Sequence, residues 1–557
     1  MKDLLQNALQ KIVEDYSKKN GLSLPESFRV GLDFAHDRSH GDLTTPVAFR
    51  LAKLVKQKPS RVAEELLVLF QKAMSREKSE KSLVSRWEVA GGGFINFYVS
   101  STQLAEVLLE IHAKDVSYGR SDFGQGKKAL IEFVSANPTG PLTIAHGRQA
   151  VIGDALARIL EATGFHVTRE YYLNDTGRQI GLLGESLWTR YQALFGLDMP
   201  IPEEGYQGDY LKQIALKLRE ERGDSLMKME KSAAVKECTD YAVREILQGI
   251  VEDLKVVRVK FDSYYSERSI RDEKRVEQVI DILREKSYLF EEEGALWFRS
   301  TRFGDDKDRV LRKTSGDYTY LAPDIAYHWT KFERGFERLI NLWGPDHHGY
   351  ILRLTAACQA LGYETTEQLK ILIVQLVTLY RQGQPVRMST RAGEFVTLRE
   401  LFQEVGIDAT RFFFLLRRVE SHLDFDLDLA KMQSDENPVY YLQYAHARIS
   451  SILKFGGKKV EAEIPLDRLA APEEVDLLKK LGEFPEILIH AAQSLEPYRV
   501  VEYLRDLAMQ FHKFYALHRV VTEDQERTAA RLLLVDGVRI VLRNGLALLG
   551  ISQPEKM

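Results

Sequence analysis

VSANPTGPLTIAHGR, residues Val134 to Arg148, follows an apolar run from Ala129 to Phe133 and precedes a helical pattern. In that pattern Ala150, Val151, Ala155, Leu156, Ile159 and Leu160 recur at helix spacing, so the stretch reads as strand, loop, helix. The stretch carries two prolines and two glycines, and its loop delivers His146 and the second glycine, Gly147, to the helix start. Unpaired backbone N–H groups there favour an anion such as phosphate, which makes a nucleotide site the first expectation.

Working outward, Gly164 ends the periodic stretch and Val167 to Leu173 reads as the next buried strand. The resulting β-α-β unit predicts a parallel sheet with a right-handed crossover, and ligands gather at the carboxyl ends of such strands. The loop from Ser135 to His146 and the polar cluster Asn174, Asp175 and Arg178 both fall at that end. Residues from about 185 to 300 are charged and weakly patterned, and they read as an insertion. Apolar runs at Tyr318–Leu321, Leu339–Trp343 and Ile371–Leu379 alternate with helical stretches and predict further strands. A helical remainder is expected from Leu398 onward, with Asn437-Pro438 as a capped helix start and Lys454 to Pro472 as a loop.

At the other end, Leu4, Leu5, Ala8, Leu9, Ile12 and Val13 form an amphipathic stripe. Helical patterns over Val47–Val55 and Val62–Phe70 follow, and then an aromatic strand, Gly93–Val99. Lys53, Lys56, Lys58 and Arg61 form a modest basic cluster.

A chain of 557 residues predicts roughly three or four domains. With 44% hydrophobic and 28% charged residues, wholesale disorder is excluded, and no apolar run approaches a membrane span. The amino-terminal stretch has acids among its apolar positions and no signal-peptide core, so a cytoplasmic location is expected. Cys238 and Cys358 lack any spacing suited to zinc or a disulfide framework. A formal charge of −4 does not by itself point to nucleic acid, although local basic patches can still hold it.

The string TIAH, Thr143 to His146, within its NPTGPL context resembles the HIGH signature of arginyl-tRNA synthetases, which are class I enzymes. Further segments look like the same family: GDLTTPVAFRLAKLVKQKPSRVAEEL, REYYLNDTGRQI, FDSYYSERSI, WGPDHH, NPVYYLQYAHARI and the end RIVLRNGLALLGISQPEKM. RMSTR, Arg387 to Arg391, resembles the second signature, KMSKS. The sequence departs from the family pattern at the signature itself, with Thr143 in place of the first His, Ala145 in place of Gly, and Arg387 and Thr390-Arg391 in place of lysines.

The resemblance implies a multidomain α/β protein with a Rossmann-like parallel-sheet core, an insertion, an α+β appended domain and an all-α anticodon-binding bundle. The expected division is residues 1–110 for the appended domain, 111–185 and 301–400 for the two halves of the catalytic domain, and 186–300 for the insertion. Residues 401–436 would form a helical connector and 437–557 the anticodon-binding domain.

The implied activity is that of an arginine–tRNA ligase in protein biosynthesis. L-arginine and ATP, with magnesium as the companion of ATP, give arginyl-adenylate and pyrophosphate. The 3'-terminal ribose of tRNA(Arg) is then esterified and AMP leaves. In this family the adenylate usually forms only with tRNA bound. No tightly bound cofactor, no metal site, no membrane contact and a monomer are expected.

Both reactants of activation are anions, so the site needs positioning and charge stabilisation more than covalent chemistry. Catalysis is assigned to Thr143, His146, Arg387 and Arg391. Nucleotide binding is assigned to Pro138, Gly140, Thr143, Ala145, His146, Gly344, Asp346, His347, Met388 and Ser389. A guanidinium is a planar fork that a carboxylate grips with two charge-assisted hydrogen bonds. The resemblance places Glu132, Asn137, Glu267, Tyr320 and Asp324 around the arginine, with Asp324 and Tyr320 at the guanidinium. On type alone, Asp324 also reads as a helix cap and Glu267 as a solvated helix-start carboxylate. A paralogue that binds tRNA without charging it is the competing reading, motivated by Thr143 and Ala145.

Overall fold

The computed structural model describes residues 2–25, 27–35, 41–76, 84–386, 396–457 and 466–557. Its centre is a five-stranded parallel sheet built from Lys128–Glu132 (β1), His166–Leu173 (β2), Ser263–Ser266 (β3), Arg338–Trp343 (β4) and Leu369–Ile373 (β5). The spatial order is β5-β4-β1-β2-β3. The chain winds outward from β1 on one side and returns to its other side with β4, so a crevice opens at the carboxyl ends of these two strands. Ala129, Leu130 and Ile131 are fully buried, as expected of a strand covered on both faces. Register sets Glu132 beside Glu170 of β2 and Asn341 of β4, which brings three polar side chains to one end of the sheet.

The helix after β1, Ile144–Ala162 (α1), packs so closely that a Cβ on Gly153 would lie 2.3 Å from Cγ of Phe133. Between β2 and β3 run the helices Arg178–Ala193, Tyr210–Arg222 and Lys231–Val256. Ser263–Ser266, inside the stretch read as an insertion, is thus an edge strand of the main sheet.

Three sequence expectations are corrected here. Tyr318–Leu321 is not a strand: Tyr318 makes an isolated bridge to Arg312, and Leu321 already begins the helix Leu321–Glu333 (α2). The apolar run fits either state, and the amphipathic pattern that follows it decides for helix. Ile371–Leu379 divides into β5 and a second strand, Val377–Arg381, which belongs to another sheet. That strand pairs in parallel with Leu423–Asp426, so the remainder after Leu398 is not wholly helical.

The amino-terminal unit joins helices Lys2–Lys19, Val47–Val55 and Pro59–Arg76 to an antiparallel sheet in the order Asp33–Phe34, Leu43–Thr45, Phe94–Val99, Val84–Ala90. The carboxyl-terminal unit is a bundle of Pro438–Gly456, Pro472–Ser494, Tyr498–Leu517 and Gln525–Leu548. Asn437 caps its first helix by accepting from the Val439 N–H at 3.2 Å. The expected loop from Lys454 is helical up to Gly456 and has a short 3-10 turn at Leu466–Arg468, while residues 458–465 lie outside the described residues.

Candidate active site

At the end of β1 the chain turns through two left-handed residues, Val134 at φ 67° and Ser135 at φ 39°. A β-branched residue there is strained, by roughly 1–3 kcal/mol, and is held only where its surroundings over-determine it. They do so here. The Ser135 N–H donates to the Phe133 carbonyl at 2.9 Å, while its hydroxyl donates to Glu132 Oε1 at 3.0 Å and accepts from the Tyr172 N–H at 3.1 Å.

The loop then reaches α1, with Thr143 at the cap position. The Thr143 N–H donates to Nδ1 of His146 at 3.2 Å, which makes Nδ1 the acceptor and leaves the imidazole proton on Nε2. Burial lowers the imidazole pKa to about 4, so His146 is a neutral donor at the helix start. Behind it, the Leu398 N–H donates to the Leu142 carbonyl at 2.8 Å, and Thr143 bridges to Thr397. The segment following residues 387–395 is thereby fastened to the first signature. Arg387, Met388, Ser389 and Arg391 themselves lie outside the described residues.

Glu132, Glu267 and Asp324 line one cavity of about 600 Å³ at the carboxyl ends of the strands. Asn137, Tyr320, His146, Gly344, Asp346 and His347 line it as well. Asp324 is not a cap. It stands in the first turn of α2, whose cap position is Tyr320, and its carboxyl faces the cavity. Burial raises its pKa to about 7, with Glu132 and Glu267 adding to the rise, and the Tyr350 hydroxyl and Lys331 opposing it. Glu267 opens the helix Glu267–Asp272 but is buried, and its Oε1 accepts from Arg271 at 2.9 Å. Tyr320 stands at the rim, 84% exposed. The Asn137 amide donates to Gln179 Oε1 at 2.7 Å.

A second hollow of about 620 Å³ adjoins the first and shares Asn137, His146 and Tyr320 with it. Gly140 and Thr143 line it, together with Arg178, Tyr206 and Tyr210 from the segment after β2. Pro138 and Ala145 line neither space; Pro138 is buried beneath the loop.

Sequence reading missed the groups beneath these side chains. Lys331 is fully buried, and its ammonium donates to Glu132 Oε2 at 2.5 Å and to Asn341 Oδ1 at 3.1 Å. The Asn341 amide donates to Nε2 of His328 at 2.7 Å, and the other ring nitrogen donates to the Asp324 carbonyl at 2.8 Å. Glu170, next to Glu132 across the sheet, has a separate cation: Arg334 grips it with two bonds, of 2.6 and 2.8 Å. One signal was available, since Asp324, His328 and Lys331 are spaced i, i+4, i+7 and must share a face of α2.

Strand ends, a helix-start imidazole and a carboxylate-lined cavity are what an enzyme joining a cationic amino acid to a nucleotide needs. Three family models match: the arginyl tRNA synthetase N terminal domain over residues 1–99, the class I (R) tRNA synthetase catalytic domain over 107–413, and the DALR anticodon binding domain over 442–557. The arginine–tRNA ligase of Geobacillus thermodenitrificans is 47% identical over 562 residues, covering 100% of this chain and 99% of its own. The chain belongs to the arginyl-tRNA synthetases. Another member, the arginine–tRNA ligase of Bacillus subtilis, is 44% identical over 561 residues, covering 100% of this chain and 99% of its own. The fold of the Thermus thermophilus arginyl-tRNA synthetase superposes with a TM-score of 0.78 at 23% identity, and all of both chains is covered. Arginyl-tRNA synthetase architecture therefore extends from the appended domain to the helical bundle.

Proposed function

We propose that this synthetase activates L-arginine with magnesium ATP and transfers it to tRNA(Arg). The observation that carries the reading is the convergence of Glu132, Glu267 and Asp324 on one cavity next to the start of α1. Asp324 takes the guanidinium, Glu132 and Glu267 serve the α-ammonium or orient its neighbours, and Asn137 addresses the arginine carboxylate. Gly140, Thr143 and His146 face the phosphates, and Gly344, Asp346 and His347 face the adenosine. Pro138 and Ala145 shape the loop from behind.

The arginine carboxylate attacks the α-phosphorus, a new P–O bond forms, and the bond to the β-phosphate oxygen breaks as magnesium pyrophosphate departs. The Nε2–H of His146 and the open N–H groups of α1 stabilise the charge developing on phosphate oxygens. Arg387 and Arg391 are assigned to offset the charge of the leaving pyrophosphate, and Met388 and Ser389 to bind the nucleotide. A hydroxyl of the terminal ribose then attacks the adenylate carbonyl, and AMP leaves with the electron pair of the broken C–O bond. Lysine, lacking the fork, leaves buried acceptors unpaired and is rejected without an editing site.

A hollow of about 800 Å³ in the carboxyl-terminal bundle supports a tRNA contact there. The Arg448 guanidinium lies 4.5 Å from the Tyr444 ring centroid and 5.1 Å from that of Tyr515, and Phe455 beside them is 81% exposed. Flat aromatic faces next to cations suit splayed bases. Among the described residues no helix is long and apolar enough to cross a membrane. We place the enzyme in the cytoplasm, acting as a monomer; its two free, buried thiols are compatible with a reducing compartment.

The deciding measurement is arginine-dependent exchange of pyrophosphate into ATP, with and without tRNA, beside a lysine control. Exchange with arginine only when tRNA is present supports substrate, reaction and tRNA coupling together. Tight tRNA binding without exchange would instead favour the non-charging paralogue.

A further inference from the structure

We propose that Lys331 is a positioning and specificity residue for the amino acid: it holds Glu132 and, through Asn341 and His328, sets its distance from Asp324. The inference rests on the arginine site proposed above.

The relay has a fixed polarity. An ammonium can only donate, so Asn341 must present its oxygen to Lys331 and its NH₂ to His328. The His328 nitrogen facing Asn341 is then the acceptor, and the opposite one carries the proton given to the Asp324 carbonyl. Burial and the nearby Lys331 cation both keep that imidazole neutral. The remaining Lys331 hydrogen lies over the Tyr327 ring, with the nitrogen 4.1 Å from its centroid. The path runs from the Glu132 carboxylate to the main-chain carbonyl of Asp324, and so joins two residues assigned to opposite ends of the substrate.

A buried ammonium is costly to keep, and an apolar side chain would often fill such a place with no loss of stability. The neighbouring Glu170 does not require it, because Arg334 already grips that carboxylate from the solvent side. Charge gives the reason. Once Asp324 is ionised, three carboxylates face the cavity; Lys331 pairs with Glu132 and Arg271 with Glu267. Asp324, which has no ion pair among the described residues, is left to the guanidinium of arginine, and the substrate carboxylate stays free to attack phosphorus. Lysine carries the same two cations, so charge alone does not exclude it. The discriminating quantity is the spacing between the two ends, and the relay is what fixes it.

The test uses the full-length enzyme with total tRNA, in the exchange assay, for unsubstituted protein, Lys331→Met and Asn341→Asp. The second variant is isosteric; it draws the ammonium away from Glu132 and removes the donor to His328. Arginine and its homologue longer by one methylene are the two substrates, and thermal melting monitors folding. For both variants the arginine KM is expected to rise about tenfold or more. The ATP KM should stay within about twofold, and the preference for arginine over the longer homologue should narrow, because a purely structural lesion affects all substrates alike. Folded variants that keep the arginine KM and the homologue discrimination of the unsubstituted enzyme would overturn the proposal. If Lys331→Met does not fold, Asn341→Asp decides alone. Absence of arginine-dependent exchange in the unsubstituted enzyme would instead sink the underlying reading of the site.

Discussion

Arg411 Nη2 lies 2.5 Å from Asp154 Oδ2, and both side chains are buried. The same guanidinium donates to the Leu549 carbonyl at 2.9 Å and to the Val257 carbonyl at 2.6 Å. One side chain therefore ties α1, whose start holds His146, to the end of the long helix Lys231–Val256 and to the last turn of the helical bundle. The chain passes so close at Gly550 that a Cβ there would fall 2.3 Å from Arg411 Nη2. Arg411→Met leaves Asp154 with the flanking Arg158 and, at 4.0 Å, Arg169, and breaking a buried pair of this kind costs about 3–5 kcal/mol. Thermal unfolding should begin several degrees lower, and Asp154→Asn in the same chain should recover part of the loss. An unchanged melting profile for Arg411→Met would rule out this role.

Gly147 is the point where α1 meets the segment that follows the second signature. A Cβ on it would lie 2.6 Å from Leu398 Cδ1 and 3.2 Å from Phe414 Cε2. Gly147→Ala must therefore displace the buried Leu398 side chain at the start of the helix Leu398–Val405, which is bonded to Leu142. Overpacking of this sort costs about 1–3 kcal/mol. Because the displaced segment leads directly from Arg387–Arg391, the ATP KM should rise more than the arginine KM. Equal effects on both, with a lowered melting temperature, would show the contact to be merely structural.

How much of this was legible in the sequence depended on how local the signal was. Ala129–Phe133, the loop and α1 were readable because strand, turn residues and helix follow one another in 34 residues with clean periodicities. Ser263–Ser266 escaped as a strand because it is four residues long, sits at the sheet edge and buries neither face fully. The run before α2 and the long run at Ile371 misled because apolar content alone does not tell a strand from a helix start, or one strand from two. Glu132, Glu267 and Asp324 came from three separate segments, and family resemblance was needed to bring them together. Lys331 looked like any lysine on an amphipathic helix. Its burial is a property of the packed sheet, where Glu132 and Asn341 are neighbours across strands that are more than 200 residues apart in sequence.

Proton linkage at Asp324 yields a pH prediction. With its carboxyl raised to about 7, the folded protein keeps a proton between pH 4 and 7 that the unfolded chain has released. Stability from this group is therefore present at low pH and lost as pH rises through 7. Arginine reverses the sign. Its guanidinium favours the carboxylate, against the opposing influence of Glu132 and Glu267, so binding near pH 7 should expel about half a proton. The arginine KM should fall as pH rises from 6 to 8. Calorimetric titration at pH 7 in two buffers of different ionisation enthalpy measures the released proton, and identical heats in both would show that Asp324 does not take the guanidinium.

The first signature departs from the family pattern at Thr143 and keeps its histidine at His146. Because the Thr143 N–H holds the His146 ring with its proton on Nε2 and burial keeps it neutral above about pH 4, turnover should show no inflection from this imidazole between pH 5 and 9. His146→Ala removes one aimed donor and should lower kcat by about 10²–10³, whereas His146→Gln keeps an amide donor and should retain part of it. Thr143 is different. Its hydroxyl can hydrogen-bond a phosphate oxygen but carries no charge, and Thr143→His would place a second imidazole at the helix start while leaving the main-chain bond to His146 intact. Pyrophosphate exchange should then quicken by up to about tenfold, and the ATP KM should fall. If both stay unchanged, Thr143 is already compensated within the pocket, and the first signature tolerates threonine at no cost to activation.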